Sequence, residues 1–184
     1  AINSVLNDYG GRMGVRLDPS DEYMHELGPE SNFNESMYIN CFDPVNNVGG
    51  WFRMGNRANE GTAEMTVCLY LPDGSVGFMF KRPAIENNDQ LDAGGLTWTM
   101  VTPFEELRID FSGKVVVLAE PKQMVDPKTA FKNNPYAECE AHITFTGLGR
   151  SSMFGGEPDV PHEAPGEEFA RGNYEQLIKA RGTI

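Results

Sequence analysis

The chain has 184 residues, a net charge of −12 and a hydrophobic fraction of 40%, with 11 Phe, 6 Tyr and 2 Trp. This length and apolar content support one generous domain with its own core and exclude a disordered tail. The acidic balance, with its basic residues scattered, excludes a phosphate backbone as partner, and no apolar run approaches the ~18–20 residues that cross a bilayer. The start, Ala1-Ile2-Asn3-Ser4, has neither the basic nor the apolar region of a signal peptide, so a cytoplasmic location is expected. Cys41, Cys68 and Cys139 are far apart and sit in apolar runs, which reads as buried structural thiols.

Residues 1–35 are polar and read as an irregular N-terminal segment, with Ser20 and the acids after it able to cap a single helical turn. From Met37 the pattern becomes period two. Met37, Ile39 and Cys41 alternate with Tyr38, Asn40 and Phe42 and predict a strand ending at Asp43-Pro44. Gly50–Met54 predicts a second strand and Thr62–Leu71 a third. Pro72-Asp73-Gly74 is a tight turn returning into a partner strand over Ser75–Lys81. In Gly95–Val101, Leu96, Trp98 and Met100 share one face. Glu106–Phe111 and Lys114–Ala119 predict a hairpin around Ser112-Gly113. Asp126-Pro127 is the best helix start, and Pro135 limits that helix to about Asn133. Cys139–Thr146 predicts a strand with Cys139, Ala141, Ile143 and Phe145 on one face. Residues 147–168 read as a long loop, and Asn173–Ile184 returns to strand or mixed character. Many strands, frequent turns and no crossover helices predict an all-β domain over residues 36–184, an antiparallel barrel or sandwich with one short helix.

Standard chemical motifs are absent: no phosphate loop, no zinc helix, no paired cysteines and no serine elbow. His25, His142 and His162 lie in three unrelated contexts, so no metal is expected. More informative is the cluster Gly55-Asn56-Arg57-Ala58-Asn59-Glu60-Gly61 between two apolar strands. Arg57 and Glu60 could simply pair with each other. Placed at a barrel mouth, they could instead anchor a ligand or donate a proton. Glu64 shares a strand face with Thr66 and Cys68. Facing inward, it would be desolvated and suited to general acid work; facing outward, it would be solvated. Tyr174-Glu175-Gln176 poses the same question late in the chain. The strand methionines suit either a core or an irregular apolar pocket.

The run Gly50–Gly61, followed by Glu64-Met65 and Leu71-Pro72-Asp73-Gly74, resembles a bacterial group of lipocalin-like proteins. These are similar to the carotenoid 1,2-hydratase (hydroxyneurosporene synthase) and AttH-like superfamily. Phe154–Pro158, Phe169–Gly172 and Tyr174-Glu175-Gln176 running to Gly182-Thr183-Ile184 carry the pattern further. The resemblance implies lipocalin-like barrels packed in pairs around hydrophobic small molecules. Such proteins are usually about twice this length, so the resemblance also implies either a second chain supplying the other half or a sequence that is a fragment of a longer one. At the position before Tyr174 the pattern leads one to expect His, where this chain has Asn173.

With that resemblance, the leading expectation is a cofactor-independent hydratase or dehydratase subunit acting on a terpenoid alkene or tertiary alcohol. Protonating an isolated alkene needs an acid, a dry pocket and a positioned water. Glu60, Glu64 and Glu175 are the candidate acids and bases. Trp51, Phe80 and Trp98 are the candidate lining, with Arg57 and Tyr174 as further substrate contacts. The competing expectations are a non-catalytic binding protein for a hydrophobic small molecule and a subunit that stabilises a partner.

Overall fold

The computed structural model describes residues 19–147, 155–156, 172–173 and 178–184. Strands β1 (Glu35–Asp43), β2 (Val48–Arg57), β3 (Thr62–Tyr70) and β4 (Val76–Lys81) run as an antiparallel meander. After β5 (Asp92–Ala93) and β6 (Leu96–Thr102) comes β7 (Glu106–Leu118), followed by helix α1 (Pro127–Asn133) and β8 (Tyr136–Gly147). A two-residue pair, β9 (Gly155–Gly156) and β10 (Gly172–Asn173), precedes β11 (Ile178–Thr183), which lies against β8. The nine-stranded antiparallel sheet curls into a nearly closed barrel, the all-β class that the alternating pattern predicts and one consistent with the lipocalin-like fold that the resemblance implies.

Period two fills the barrel. Ile39, Phe52, Met54, Ala63, Met65, Val67, Leu69, Met79, Leu96, Trp98, Ile109, Phe111, Ala141, Ile143 and Phe145 form one buried cluster, drawn from the inward face of every long strand. Asp126 caps α1 as its sequence predicts. Its Oδ1 accepts from the Thr129 backbone N–H at 3.3 Å, and Pro127 opens the helix.

The hairpin expected around Ser112-Gly113 does not form. β7 runs unbroken through both residues, its register on β8 continuing from Ser112↔Glu140 to Gly113↔Cys139. What changes there is the neighbour on the other edge, which is β6 over Leu107–Phe111 and β4 over Val116–Leu118. Gly113 therefore marks a corner of the barrel, where a strand lacking a side chain can switch partners, and not a reversal of the chain.

The segment before β1 is largely irregular, with a 3-10 turn at Pro19–Glu22, and it is tied to the barrel. The buried Glu22 carboxylate accepts from the Phe104 N–H at 3.1 Å, and Phe104 itself holds a φ of 62°. Asn59 Nδ2 donates to the carbonyls of Gly28 and Glu30, and His25 Nδ1 sits 2.8 Å from Glu35 Oε1.

Candidate functional site on the outer face of the sheet

Outward-pointing residues of β1 to β4 fall into cross-strand rows fixed by the register. One row holds Ser36, Gly55 and Glu64, with Arg82 beyond the end of β4. The next holds Tyr38, Arg53, Thr66 and Phe80, and the third Asn40, Trp51, Cys68 and Phe78. The face thus grades from charged to aromatic.

At the charged end, three guanidiniums converge on Glu64. Arg82 donates to Glu64 Oε1 through Nε, at 3.1 Å, and through Nη2. Arg53 Nη1 lies 3.4 Å from Oε2, and Arg57 Nε lies 3.5 Å from Oε1 without hydrogen-bonding geometry. Arg57 Nη1 also pairs with Glu60 at 3.0 Å, the mutual pairing that their spacing allows. Gly55, directly across from Glu64, makes the convergence possible. A side chain there would press on Arg53 Nη2, Asn34 Oδ1 and Ser36, so its absence leaves the guanidinium room to lie over the strand. The Arg82 hydrogen bonds, followed by the charges of Arg57, Arg82 and Arg53, hold the Glu64 carboxyl below its ordinary range. Glu64 is therefore an anion at neutral pH, although its side chain is only 15% exposed. An interior acid with raised pKa, one of the two arrangements open in the sequence, is not the one found.

At the aromatic end, rings pack in series across the face. Tyr38 and Trp51 have centroids 5.8 Å apart, Trp51 and Phe78 6.4 Å, Phe78 and Phe131 6.0 Å, and Phe131 and Tyr136 6.5 Å. Helix α1 covers part of this face through Ala130 and Phe131, which pack with Val116, Leu118 and Phe78. Between β4 and the Pro121–Asn133 segment an open cleft of about 410 Å³ remains, lined by Phe78, Phe80, Met124, Pro127, Lys128 and Phe131. Phe80 is 45% exposed at its edge, and Tyr38, Phe42 and Tyr70 are also exposed on this side.

The candidate residues from the sequence do not come together as one lining. Phe52 and Met54 occupy the inward positions of β2 and Met79 that of β4, so Trp51 and Phe80 must point outward. Trp98 is buried inside the barrel with the core. Glu60, Glu64 and Arg57 do form one cluster, on the outside and next to Phe80. Glu175 and Tyr174 lie outside the described residues.

Two features escaped the sequence reading. The cleft depends on a helix about fifty residues downstream of β4, a distance over which no motif speaks. Asn56 Oδ1 and Trp98 Nε1 inside the barrel, and Asn88 Oδ1 in the loop between β4 and β5, are buried, and no hydrogen-bond partner is found for them among the described residues. Asn56 does spend its amide N–H on the Gln90 carbonyl, at 2.9 Å.

Burial pushes the Cys68 thiol up to about 11, and burial likewise raises those of Cys41 and Cys139; all three cysteines are free. Among the described residues no group of three or more His, Cys, Asp or Glu is placed to hold a metal ion, and no helix is long and apolar enough to cross a membrane. His142 Nδ1 instead lies 2.6 Å from Asp110 on the surface.

A family model described as a domain of unknown function, DUF7064, matches residues 18–184, and the chain belongs to that family. No curated protein matches the chain, and no solved structure does.

Proposed function

We propose that this member of the DUF7064 family binds a hydrophobic small molecule in the cleft between β4 and α1. The observation that carries the reading is the cleft's chemistry. Its volume of about 410 Å³ falls in the range of small-molecule sites, and five of its six lining residues are aromatic, Met or Pro. A site of this kind draws in an apolar ligand by removing ring surface from water, and the flexible Met124 thioether adapts to its shape. The test is calorimetric titration with dodecan-1-ol, a plain apolar probe. Saturable binding that weakens in Phe80→Ser, a half-exposed position whose change leaves the core intact, supports the reading. Absence of binding, or equal binding by Phe80→Ser, refutes it.

The hydro-lyase reading draws on the lipocalin-like resemblance and on the polar atoms inside the barrel. Asn56 and Trp98 would orient a water or hydroxyl in an otherwise apolar interior. The acid in that case is Glu175, because arginines hold the Glu64 carboxyl below its ordinary range and Glu60 is paired with Arg57 on the outer face. Glu175→Gln should then abolish turnover of a terpenoid alcohol while leaving its binding unchanged, and full activity in that variant would dismiss the role. The same resemblance supports a second chain of similar size as partner. Native mass spectrometry of protein from its source would read that partner as a second mass, and a lone chain carrying a lipophile would speak against it.

A further inference from the structure

The geometry points to an amphiphile with an anionic head, a carboxylate or a phosphate, whose apolar tail lies in the cleft and whose head is met by Arg82, Arg53 and Arg57. The inference rests on the cleft being the binding site and adds the class of ligand.

Three observations carry it. The first is alignment. Phe78, Phe80 and Arg82 are successive outward positions on one strand and its continuation, so the cleft wall leads directly to the arginine cluster. At ~3.3 Å per residue, the path from Phe78 to Arg82 is about 13 Å, a span that an extended medium-length alkyl chain covers. Thr66 and Arg53, across from Phe80, continue the surface, so nothing charged negative interrupts the path before Glu64.

The second is charge. Arg53, Arg57 and Arg82 bring three positive charges, and Glu64 and Glu60 bring two negative ones, which leaves the cluster one positive charge in excess. That excess sits on a chain whose net charge is −12.

The third is access. Arg82 is 58% exposed, and its planar fork has donors to spare beyond those given to Glu64. An incoming carboxylate or phosphate oxygen can take these donors without removing Glu64, and the pairing would be of the strong, charge-assisted kind. Lys128, on the helix wall of the cleft, is the rival position for the head.

The experiment compares dodecanoate with dodecan-1-ol, both below their aggregation limits, by calorimetry on the full chain. The expected result is that dodecanoate binds about tenfold more tightly than the alcohol. Arg82→Gln should remove most of that preference while leaving alcohol binding unchanged. Glu64→Gln, which frees the guanidiniums, should strengthen dodecanoate binding, and a circular dichroism spectrum checks that each variant is folded. Dodecyl phosphate in place of dodecanoate tells which head is preferred. Equal affinity for acid and alcohol overturns the anionic-head inference and leaves the cleft reading standing. Preference kept in Arg82→Gln but lost in Lys128→Gln overturns it by placing the head at Lys128. Failure of both probes to bind overturns the cleft reading and this inference with it.

Discussion

Glu64→Gln removes the one carboxylate on which three guanidiniums converge, and the structure sets the size of the effect. In the native chain Arg82, Arg53 and Arg57 all lie within 3.5 Å of Glu64, whose side chain is 15% exposed. The amide keeps the volume but loses the charge, so the arginines are left with Glu60 alone and repel one another. A charge-assisted hydrogen bond of this type contributes about 1.5–3 kcal/mol, and the partial exposure of the arginines discounts that to about 1–2 kcal/mol. For a chain of this size, the melting midpoint should then fall by roughly 2–8 °C. The pH dependence has a definite sign. Because the folded-state pKa of Glu64 is lowered, first by its Arg82 hydrogen bonds, its stabilisation is fully present above the unfolded carboxylate pKa of about 4.3. It is lost as pH falls through the lower folded value. The stability gap between wild type and Glu64→Gln, measured by thermal melts followed by circular dichroism, should be constant from pH 7 to 5 and close below pH 4. Equal midpoints at pH 7, or a gap that widens on acidification, would refute the reasoning.

Three other outcomes follow from the packing. Phe52→Ala empties a fully buried position in the barrel and should cost about 3–5 kcal/mol, read as a lower midpoint in urea denaturation. Gly95 holds a φ of 96°, and a Cβ there would overlap the Ser112 carbonyl oxygen, so Gly95→Ala should cost about 2 kcal/mol or more in the same assay. With the Cys68 thiol pushed up to about 11 by burial, only about one part in a thousand is thiolate at pH 8, so the folded protein should react slowly with a disulfide reagent. The unfolded chain should release all three thiols at once, and fast reaction of Cys68 in the folded state would contradict its burial.

Alternation made the strands legible. The inward sets Met37, Ile39, Cys41 and Ala141, Ile143, Phe145 follow from period two alone, because each has polar or mixed neighbours on the opposite face. β3 is different. Val67, Cys68 and Leu69 are all buried, since its outer face lies under aromatic neighbours, and a strand apolar on both sides does not declare which face is the core. The direction of Glu64 was therefore open until the barrel was assembled. Gly113 resembles a turn residue because a glycine marks a reversal and a barrel corner equally well. β5, only two residues long, leaves no periodic trace. In the polar loop, Arg57–Glu60 pairing was readable at close spacing, whereas Asn59 reaching the carbonyls of Gly28 and Glu30 was not. The cleft was illegible for the same reason, since chain reversal at long range brings Phe131 onto Phe78.

The central claim is that the apolar ligand sits outside the barrel, and methionine methyl NMR tests it most directly. The chain carries nine methionines, among them Met124 in the cleft and Met54 and Met65 at zero exposure in the barrel core. Titration of the methyl-labelled protein with dodecan-1-ol should shift the Met124 methyl resonance in a saturable way and leave those of Met54 and Met65 unmoved. Shifts at Met54 and Met65 with Met124 unmoved would place the ligand inside the barrel and contradict the account.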